Sequence, residues 1–136
     1  MTALTSEQRS DLIQHALQAR HAAYAPYSHY QVGAALLCAD GRIFLGANVE
    51  NAAYPTSICA ERVAVFTAVT AGARQFTAVV VATANGGTPC GACRQVLAEF
   101  GLDTLVILVD ETGRVVSETD LAVLLPGAFL PKDLDK

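Results

Sequence analysis

Two short cysteine motifs constrain this chain more than any other feature: Cys59-Ala60-Glu61-Arg62 and Pro89-Cys90-Gly91-Ala92-Cys93. A Cys-x-x-Cys pair after a proline is typical of two zinc ligands that enter a helix, because the i, i+3 spacing places both thiols on one helix face. Cys59 is the best candidate for a third ligand, because the apolar run that begins at Val63 predicts a second helix directly after it. Three protein ligands leave one position of a tetrahedral ion open, as in catalytic zinc sites.

Glu61 is the residue that we expect to transfer protons. It follows Cys59 so closely that it is not needed as a ligand, yet it is near enough to take a proton from bound water and pass it to a substrate nitrogen. Zinc lowers the pKa of its water from about 15.7 to about 7, but three thiolates give the site a formal charge of about −1. Two helix N-termini of roughly +0.5 each, together with Arg62 hydrogen-bonded to a thiolate around the metal, would offset that excess.

Length and composition predict one domain that associates with further copies of itself. A chain of 136 residues forms a single core, so we expect one domain over residues 1–136. The hydrophobic fraction of 52% is high for a monomer of this size and predicts a homo-oligomer. No apolar run has the length of a membrane span, and residues 1–12 are too polar for a secretion signal. We therefore expect no membrane partner and a cytoplasmic location, where cysteines bind metals more often than they form disulfides.

The charge of the chain narrows the class of ligand. The formal net charge is −4, and the nine basic residues are scattered along the sequence. Nucleic-acid binding depends mainly on clustered Lys and Arg at phosphates, so we expect no nucleic-acid partner. A small, neutral or weakly charged substrate agrees better with this composition.

The order of apolar patterns predicts a three-layer α/β/α sandwich with a mixed five-stranded sheet. Thr5 opens a capping box with Gln8, Thr56 or Ser57 is the expected N-cap of the first metal helix, and Thr119 is the expected cap of a short last helix. The longer helices are predicted over residues 5–22, 59–71 and 90–100. The strands are predicted over residues 32–38, 42–46, 76–84, 104–109 and 114–117.

Four motifs together resemble the small homotetrameric cytidine deaminases, and the similarity covers nearly the whole chain from residue 23 onward. They occupy residues 48–54, 59–62, 89–96 and 124–129. The resemblance implies a cytidine deaminase-like fold and the hydrolytic deamination of cytidine and 2′-deoxycytidine, with release of ammonia, in pyrimidine salvage. It further implies one Zn²⁺ per chain on Cys59, Cys90 and Cys93, with Glu61 as the proton shuttle.

The same resemblance implies a set of nucleoside contacts. Asn48 and Glu50 would hydrogen-bond the ribose hydroxyls, and the N–H of Ala60 would meet the pyrimidine carbonyl oxygen. Phe129 would reach into the site of a neighbouring subunit, so that a homotetramer shares its active sites. Members often have Phe where this chain has Tyr30; a tyrosine can also stack on the base, but its hydroxyl needs a partner.

Other interpretations of the same residues stay open at this point. The chemistry could serve another aminopyrimidine, such as blasticidin S. Alternatively, Cys38 could complete a set of four thiolates around a structural zinc, although Glu61 would then have no role. An Asn-x-Glu loop by itself is usually a solvated turn.

Overall fold

Helices and strands alternate along most of the chain. The structure of the protein, a computed structural model, describes residues 4–134. Its elements are α1 (Ser6–Arg20), β1 (Gly33–Cys38), β2 (Ile43–Ala47), α2 (Ala60–Thr70), β3 (Phe76–Ala82), α3 (Gly91–Ala98), β4 (Leu105–Val109), β5 (Val115–Asp120) and α4 (Leu121–Leu124), with short 3-10 turns at Tyr54–Thr56 and Pro131–Leu134. Among the helices of residues 4–134, none combines the length and the apolar composition that a bilayer span requires.

The five strands form one mixed sheet in the order β2-β1-β3-β4-β5. The pair of β3 and β4 is parallel, and the other three pairs are antiparallel. Parallel neighbours need a crossover connection, which α3 provides here. The segment that leads from β3 into α3 therefore lies at the carboxyl end of β3, and it carries Cys90 to that edge of the sheet.

Helices cover both faces of the sheet. On one face α1 packs through Leu12 and Ala16 against a cluster that includes Val80 and Ile107. On the other face, α2 and α3 contribute Val65 and other apolar residues to the larger core cluster. Strands β1, β3 and β4 are apolar along almost their whole length because both of their faces are covered. The predicted three-layer arrangement is therefore the observed one.

The first helix begins where the sequence predicts. Thr5 is the N-cap of α1, and its hydroxyl oxygen accepts a hydrogen bond from the Gln8 backbone N–H at 3.0 Å. The Gln8 side chain accepts in return from the Thr5 N–H, also at 3.0 Å. This reciprocal pair is the capping box, and it satisfies two backbone donors that the first turn of a helix leaves free.

The predicted N-cap of the first metal helix is wrong. Cys59, and neither Thr56 nor Ser57, occupies that position of α2. The reason is a backbone bridge in which Val49 and Ile58 exchange two hydrogen bonds of 3.0 and 2.9 Å. The bridge holds the chain extended up to Ile58, so the helix begins only after the candidate metal ligand.

The last strand is longer than predicted, and the cap of the last helix is displaced. Thr119 belongs to β5, and Asp120 is the N-cap of α4. The pairing of β5 with β4 continues as far as Leu105 opposite Asp120. Ladder hydrogen bonds across β4 therefore override the local cap signal, and the strand extends beyond residues 114–117.

Gly46 allows β2 to lie directly against the first turns of α2. A methyl group at this position would collide with the Ala60 carbonyl oxygen and with the Ala64 amide nitrogen. Only a residue without a Cβ permits so close an approach of two backbones. The contact fixes the start of α2, and with it the position of Cys59.

Candidate active site

Three of the four cysteines meet at the N-termini of α2 and α3. Cys59 and Cys90 are the N-cap residues of these helices, and Cys93 lies in the first turn of α3. The Sγ atoms of Cys59 and Cys90 are 3.7 Å apart, those of Cys90 and Cys93 are 3.4 Å apart, and all three lie within 4.8 Å of one another. Two sulfur ligands of a tetrahedral zinc ion, each about 2.3 Å from the metal, are about 3.8 Å apart. The thiol cluster therefore fits a zinc ion.

Cys38, the fourth cysteine, lies far from this thiol cluster. It is the last residue of β1 and only 2% exposed. Val32, which precedes β1, lines the pocket beside the cluster, and the six residues from there to Cys38 span roughly 20 Å of strand. Among residues 4–134, the group that could hold a metal contains Cys59, Cys90 and Cys93 without Cys38. The alternative of a structural site with four thiolates is therefore contradicted.

Glu61 is a buried carboxyl group beside the thiols. It lies in the first turn of α2, is 4% exposed and lines the same pocket as Cys59. Burial raises its pKa because the charged form loses solvation. A carboxyl group whose pKa is raised toward neutrality is suited to both accepting and donating a proton. The structure thus brings the predicted proton carrier next to the predicted metal ligands.

The surroundings of Cys59 favour its thiolate form. A hydrogen bond with Cys93, followed by one with the Arg62 guanidinium, lowers the pKa of Cys59 to about 5. The Nη2 atom of Arg62 donates to the Cys59 Sγ over 3.4 Å. The N-termini of α2 and α3 add partial positive charge at the same place. Because the thiolate is the form that binds metals, these contacts prepare Cys59 to act as a ligand.

The thiol cluster opens into a pocket of about 520 Å³, which is in the size range of small-molecule sites. Polar side chains line it together with Cys59 and Cys90: Ser28, Tyr30, Asn48, Glu50, Tyr54, Ser57, Glu61, Arg62, Thr83 and Thr88. A second cavity of about 580 Å³ lies at the opposite end of the sheet, between Arg9, Phe76 and Glu118, and none of the three clustered cysteines lines it. Cys59, Cys90 and Glu61 line the smaller of these two cavities, which is therefore the candidate active site.

Comparison with known protein families identifies one that matches most of the chain. The family described as "Cytidine and deoxycytidylate deaminase zinc-binding region" matches residues 6–109. The chain belongs to this deaminase family. A cytidine deaminase of Sporosarcina psychrophila is 48% identical over 125 residues, which cover 90% of this chain and 92% of that protein. A cytidine deaminase of Halalkalibacterium halodurans is also 48% identical, over 130 residues that cover 93% of this chain and 98% of that protein.

A solved structure of the deaminase family agrees with the fold. The crystal structure of cytidine deaminase from Burkholderia pseudomallei superimposes with a TM-score of 0.84 at 46% sequence identity, covering 93% of this chain and 100% of that chain. The predicted family and fold class are therefore confirmed. The predicted zinc cofactor is confirmed as well, because the matched family region is a zinc-binding region and the three cysteines form a cluster that could hold the ion.

The structure places Asn48 at the pocket with both ends of its side-chain amide engaged. Its Oδ1 accepts from the Val32 N–H at 2.9 Å, and its Nδ2 donates to the Tyr30 carbonyl oxygen at 2.8 Å. The residue is 8% exposed. Asn48 therefore holds the backbone on either side of residue 31, and its contact with a ribose hydroxyl stays a prediction.

Glu50 is likewise engaged within the chain. Its Oε1 accepts from the backbone N–H groups of Tyr27 and Ser28 at 3.0 Å each, and its Oε2 accepts from the Ser28 hydroxyl. These hydrogen bonds, that of the Ser28 hydroxyl foremost, hold the pKa of Glu50 below its usual range. Glu50 is thus an ionised carboxylate at the pocket that also shapes the loop opposite it. Its ribose contact remains a prediction.

Two further predicted residues lie in different surroundings. Ala60 is the first residue of α2 and fully buried, and the N–H groups of a first helical turn have no partner within the helix. Phe129 is 57% exposed and is not part of its own chain's pocket lining. The Gln95 side chain donates to the Phe129 carbonyl oxygen at 2.8 Å, which fixes the backbone there. Both assigned roles stay predictions.

The segment between β3 and α3 contributes three pocket residues that no sequence motif indicated: Thr83, Gly87 and Thr88. Residues 85–87 lie beyond the strand predicted over residues 76–84 and had no predicted role, although Tyr30 donates its hydroxyl to Asn85 Oδ1 at 2.7 Å. The Thr83 hydroxyl accepts from the N–H groups of Gly86 and Gly87 at 2.7 and 2.9 Å. One sequence feature could have indicated that this segment lies at the pocket: it directly precedes the Cys-x-x-Cys motif.

Proposed function

We propose that the protein catalyses the hydrolytic deamination of cytidine and 2′-deoxycytidine to uridine and 2′-deoxyuridine, with release of ammonia in pyrimidine salvage. One observation carries this proposal: three clustered thiols fit a zinc ion, and two of them, Cys59 and Cys90, line a pocket of about 520 Å³ together with the buried Glu61. Membership of the deaminase family supports it, and so do the names of the similar relatives, which are cytidine deaminases. Those names do not favour another aminopyrimidine as the substrate.

The reaction exchanges the amino group on the pyrimidine ring for a water oxygen. Cys59, Cys90 and Cys93 would hold the zinc ion, which would supply the Lewis acidity that makes water nucleophilic at neutral pH. Glu61 takes a proton from the attacking water and delivers it to the ring nitrogen next to the reacting carbon. After the carbon–oxygen bond has formed, Glu61 transfers the second proton to the amino group. The carbon–nitrogen bond then breaks, and ammonia leaves.

The rest of the pocket orients the nucleoside. In the proposal, Glu50 accepts hydrogen bonds from the ribose hydroxyls, and Asn48 accepts or donates them; both side chains line the pocket. The N–H of Ala60, at the N-terminus of α2, meets the carbonyl oxygen of the pyrimidine. Tyr30 lines the same pocket and offers its ring for stacking on the base. Arg62 acts through its hydrogen bond with Cys59.

The proposal includes a homotetramer that shares its active sites, with Phe129 of one chain completing the site of the next. It is supported by large apolar side chains that remain exposed on the single chain: Leu45, Val49, Phe66, Val123 and Phe129. Exposed apolar surface of this kind is typical of an interface. We also place the protein in the cytoplasm, because three free thiols stay reduced and able to bind metal in that compartment.

The activity is tested by mixing purified protein with cytidine and following the loss of cytidine absorbance. The expected result is conversion to uridine with one ammonia released per cytidine, by protein that holds one zinc ion per chain. A chelator that removes the metal should abolish turnover, and added zinc should restore it. Zinc-loaded protein that leaves both cytidine and 2′-deoxycytidine unchanged would contradict the proposed function.

A further inference from the structure

Tyr30 is held at three points on the wall of the pocket. Its backbone N–H donates to the Ser28 hydroxyl oxygen at 3.0 Å, and its carbonyl oxygen accepts from the Asn48 side chain at 2.8 Å. The third point is its phenolic hydroxyl, which donates to Asn85 Oδ1 at 2.7 Å. The first two contacts belong to the loop before β1 and to the residue after β2. The third contact crosses to the segment that connects β3 with α3.

That connecting segment is organised around one buried hydroxyl group. Thr83 is 3% exposed, and its hydroxyl oxygen accepts from the N–H groups of Gly86 and Gly87 at 2.7 and 2.9 Å. The same hydroxyl donates to Asn85 Oδ1 at 3.3 Å. The Asn85 amide oxygen therefore receives hydrogen bonds from its own segment and from Tyr30. It is the point at which the two sides of the pocket are connected.

Gly87 brings the backbone close to the tyrosine hydroxyl. A Cβ at this position would lie 2.6 Å from the Tyr30 hydroxyl oxygen but 3.9 Å from the ring carbon that bears it. The first distance is a severe overlap, and the second is an ordinary van der Waals contact. Glycine at residue 87 therefore leaves room for the hydroxyl of Tyr30. A phenylalanine at residue 30 would not need that room.

We propose that the Tyr30 hydroxyl and Asn85 form a latch that holds the two walls of the pocket at a fixed separation. The inference rests on the proposed function, because the walls in question are those that would enclose the nucleoside. Tyr30 acts through this latch as a positioning residue, in addition to any contact of its ring with the base. Gly87 leaves the space in which the Tyr30 hydroxyl reaches Asn85.

Loss of the latch should weaken substrate binding more than it slows the chemical step. Helix α3, which begins at the candidate ligand Cys90, is held independently of the latch. Its Arg94 donates to the Pro89 and Leu124 carbonyl oxygens at 2.8 Å each. We expect Tyr30→Phe and Asn85→Ala to raise KM for cytidine roughly 2- to 10-fold, the size of one hydrogen bond, with kcat changed less than about 2-fold. Zinc content should stay at the wild-type level. The double variant should be no worse than the poorer single variant, because both remove the same contact.

A rescue experiment tests the geometry of the latch. Gly87→Ala adds a methyl group against the Tyr30 hydroxyl and should raise KM at least ~10-fold by forcing the walls apart. In Tyr30→Phe/Gly87→Ala the overlap is gone, and KM should return to that of Tyr30→Phe alone. The control is Tyr24→Phe, which removes the hydroxyl of a tyrosine that is 56% exposed and outside the pocket lining, and it should match the wild type.

Hydrogen–deuterium exchange gives a second measurement that needs no turnover. Amide exchange over residues 83–88 should be faster in Tyr30→Phe than in the wild type and unchanged in Tyr24→Phe. An inactive wild type would contradict the proposed function, and exchange alone would then decide the latch. An active wild type with unchanged KM in Tyr30→Phe and Asn85→Ala would overturn the latch and leave the deaminase activity established. Additive losses in Tyr30→Phe/Gly87→Ala would also overturn it.

Discussion

At residue 62, a guanidinium group lies against a candidate metal ligand. Arg62 donates to the Cys59 Sγ at 3.4 Å, and its hydrogen bond helps to lower the pKa of that thiol to about 5. The contact in turn raises the pKa of the guanidinium, so Arg62 keeps its positive charge beside the sulfur. A charge held in this position offsets the negative excess that three thiolates give to a divalent ion.

Arg62→Gln should therefore weaken zinc binding about 10- to 100-fold, the usual range for a residue that orients and tunes a metal ligand. The expected cause is the loss of positive charge beside Cys59. Zinc affinity would be measured by competition with a chromogenic chelator, with Arg62→Lys as the matched variant that keeps the charge. Equal zinc affinity of Arg62→Gln and the wild type would show that the helix termini alone supply the potential.

The candidate residues of the site could be predicted better than their contacts. The motifs identified Cys59, Cys90, Cys93 and Glu61, and the structure brings all four together. Spacing within one motif fixes which side chains share a helix turn, so this much follows from the sequence. Hydrogen bonds between distant segments, such as that of Tyr30 with Asn85, depend on how the loops meet and have no local pattern.

At the scale of elements, the site depends on how closely β2 lies against α2. The approach at Gly46 leaves no space for a methyl group between the strand and the Ala60 carbonyl oxygen. Because α2 begins directly after Cys59, any displacement of the helix moves a candidate ligand and the adjacent Glu61 together. The strand thus contributes to the geometry of the site without entering it.

Gly46→Ala should destabilise the fold by about 1–3 kcal/mol, the usual cost of overpacking a well-filled interior. The matched control is Gly91→Ala, because a methyl group there meets no atom within 4 Å. Urea unfolding of zinc-loaded protein would measure both free energies. Gly91→Ala should be at least as stable as the wild type, since alanine favours a helix more than glycine does. Equal stability of Gly46→Ala and the wild type would contradict the close approach.

Element types followed from periodicity, whereas some boundaries did not. The capping box of α1 was predictable because both of its hydrogen bonds join residues three positions apart. The start of α2 was not, because the bridge of Val49 with Ile58 brings together segments nine residues apart. The extension of β5 to Asp120 likewise depends on β4. Long-range backbone pairing overrides local cap signals in both places.

At the scale of the whole molecule, a single chain exposes apolar surface that neighbouring chains would bury in the proposed tetramer. Phe66 is 45% exposed on the helix that carries Glu61, and Phe129 is 57% exposed near the C-terminus. Ala64 and Val65 of the same helix are buried in the core cluster, so α2 is covered on one side only in the single chain. The proposed tetramer would cover the other side and bring a Phe129 to each pocket.

The tetramer predicts complementation between two impaired variants. Phe129→Ala should lower activity at least ~10-fold by removing the proposed aromatic contact with the base, and Glu61→Gln removes the proposed proton carrier. In mixed tetramers, a site can combine an intact Glu61 from one chain with an intact Phe129 from its neighbour. Coexpressed chains should therefore be more active than either variant alone. The mass of the mixed assembly should be near four times the 14.3 kDa of one chain.

The complementation has a clear opposing result. Activity no greater than the average of the two variants, in an assembly shown to contain both chains, would mean that each site is complete within one chain. A monomer in solution at assay concentration would contradict the proposed tetramer directly. Sedimentation velocity on the wild type separates these two outcomes.

The measurement that tests the whole account most directly is the activity of Glu61→Gln at known zinc content. The substitution keeps the size of the side chain and removes its ability to carry protons, so the thiol cluster should still hold one zinc ion per chain. We predict turnover of cytidine at least ~10²-fold below the wild type. Glu7→Gln, at an exposed carboxylate of α1, should retain full activity. Near-wild-type turnover by zinc-loaded Glu61→Gln would contradict the account.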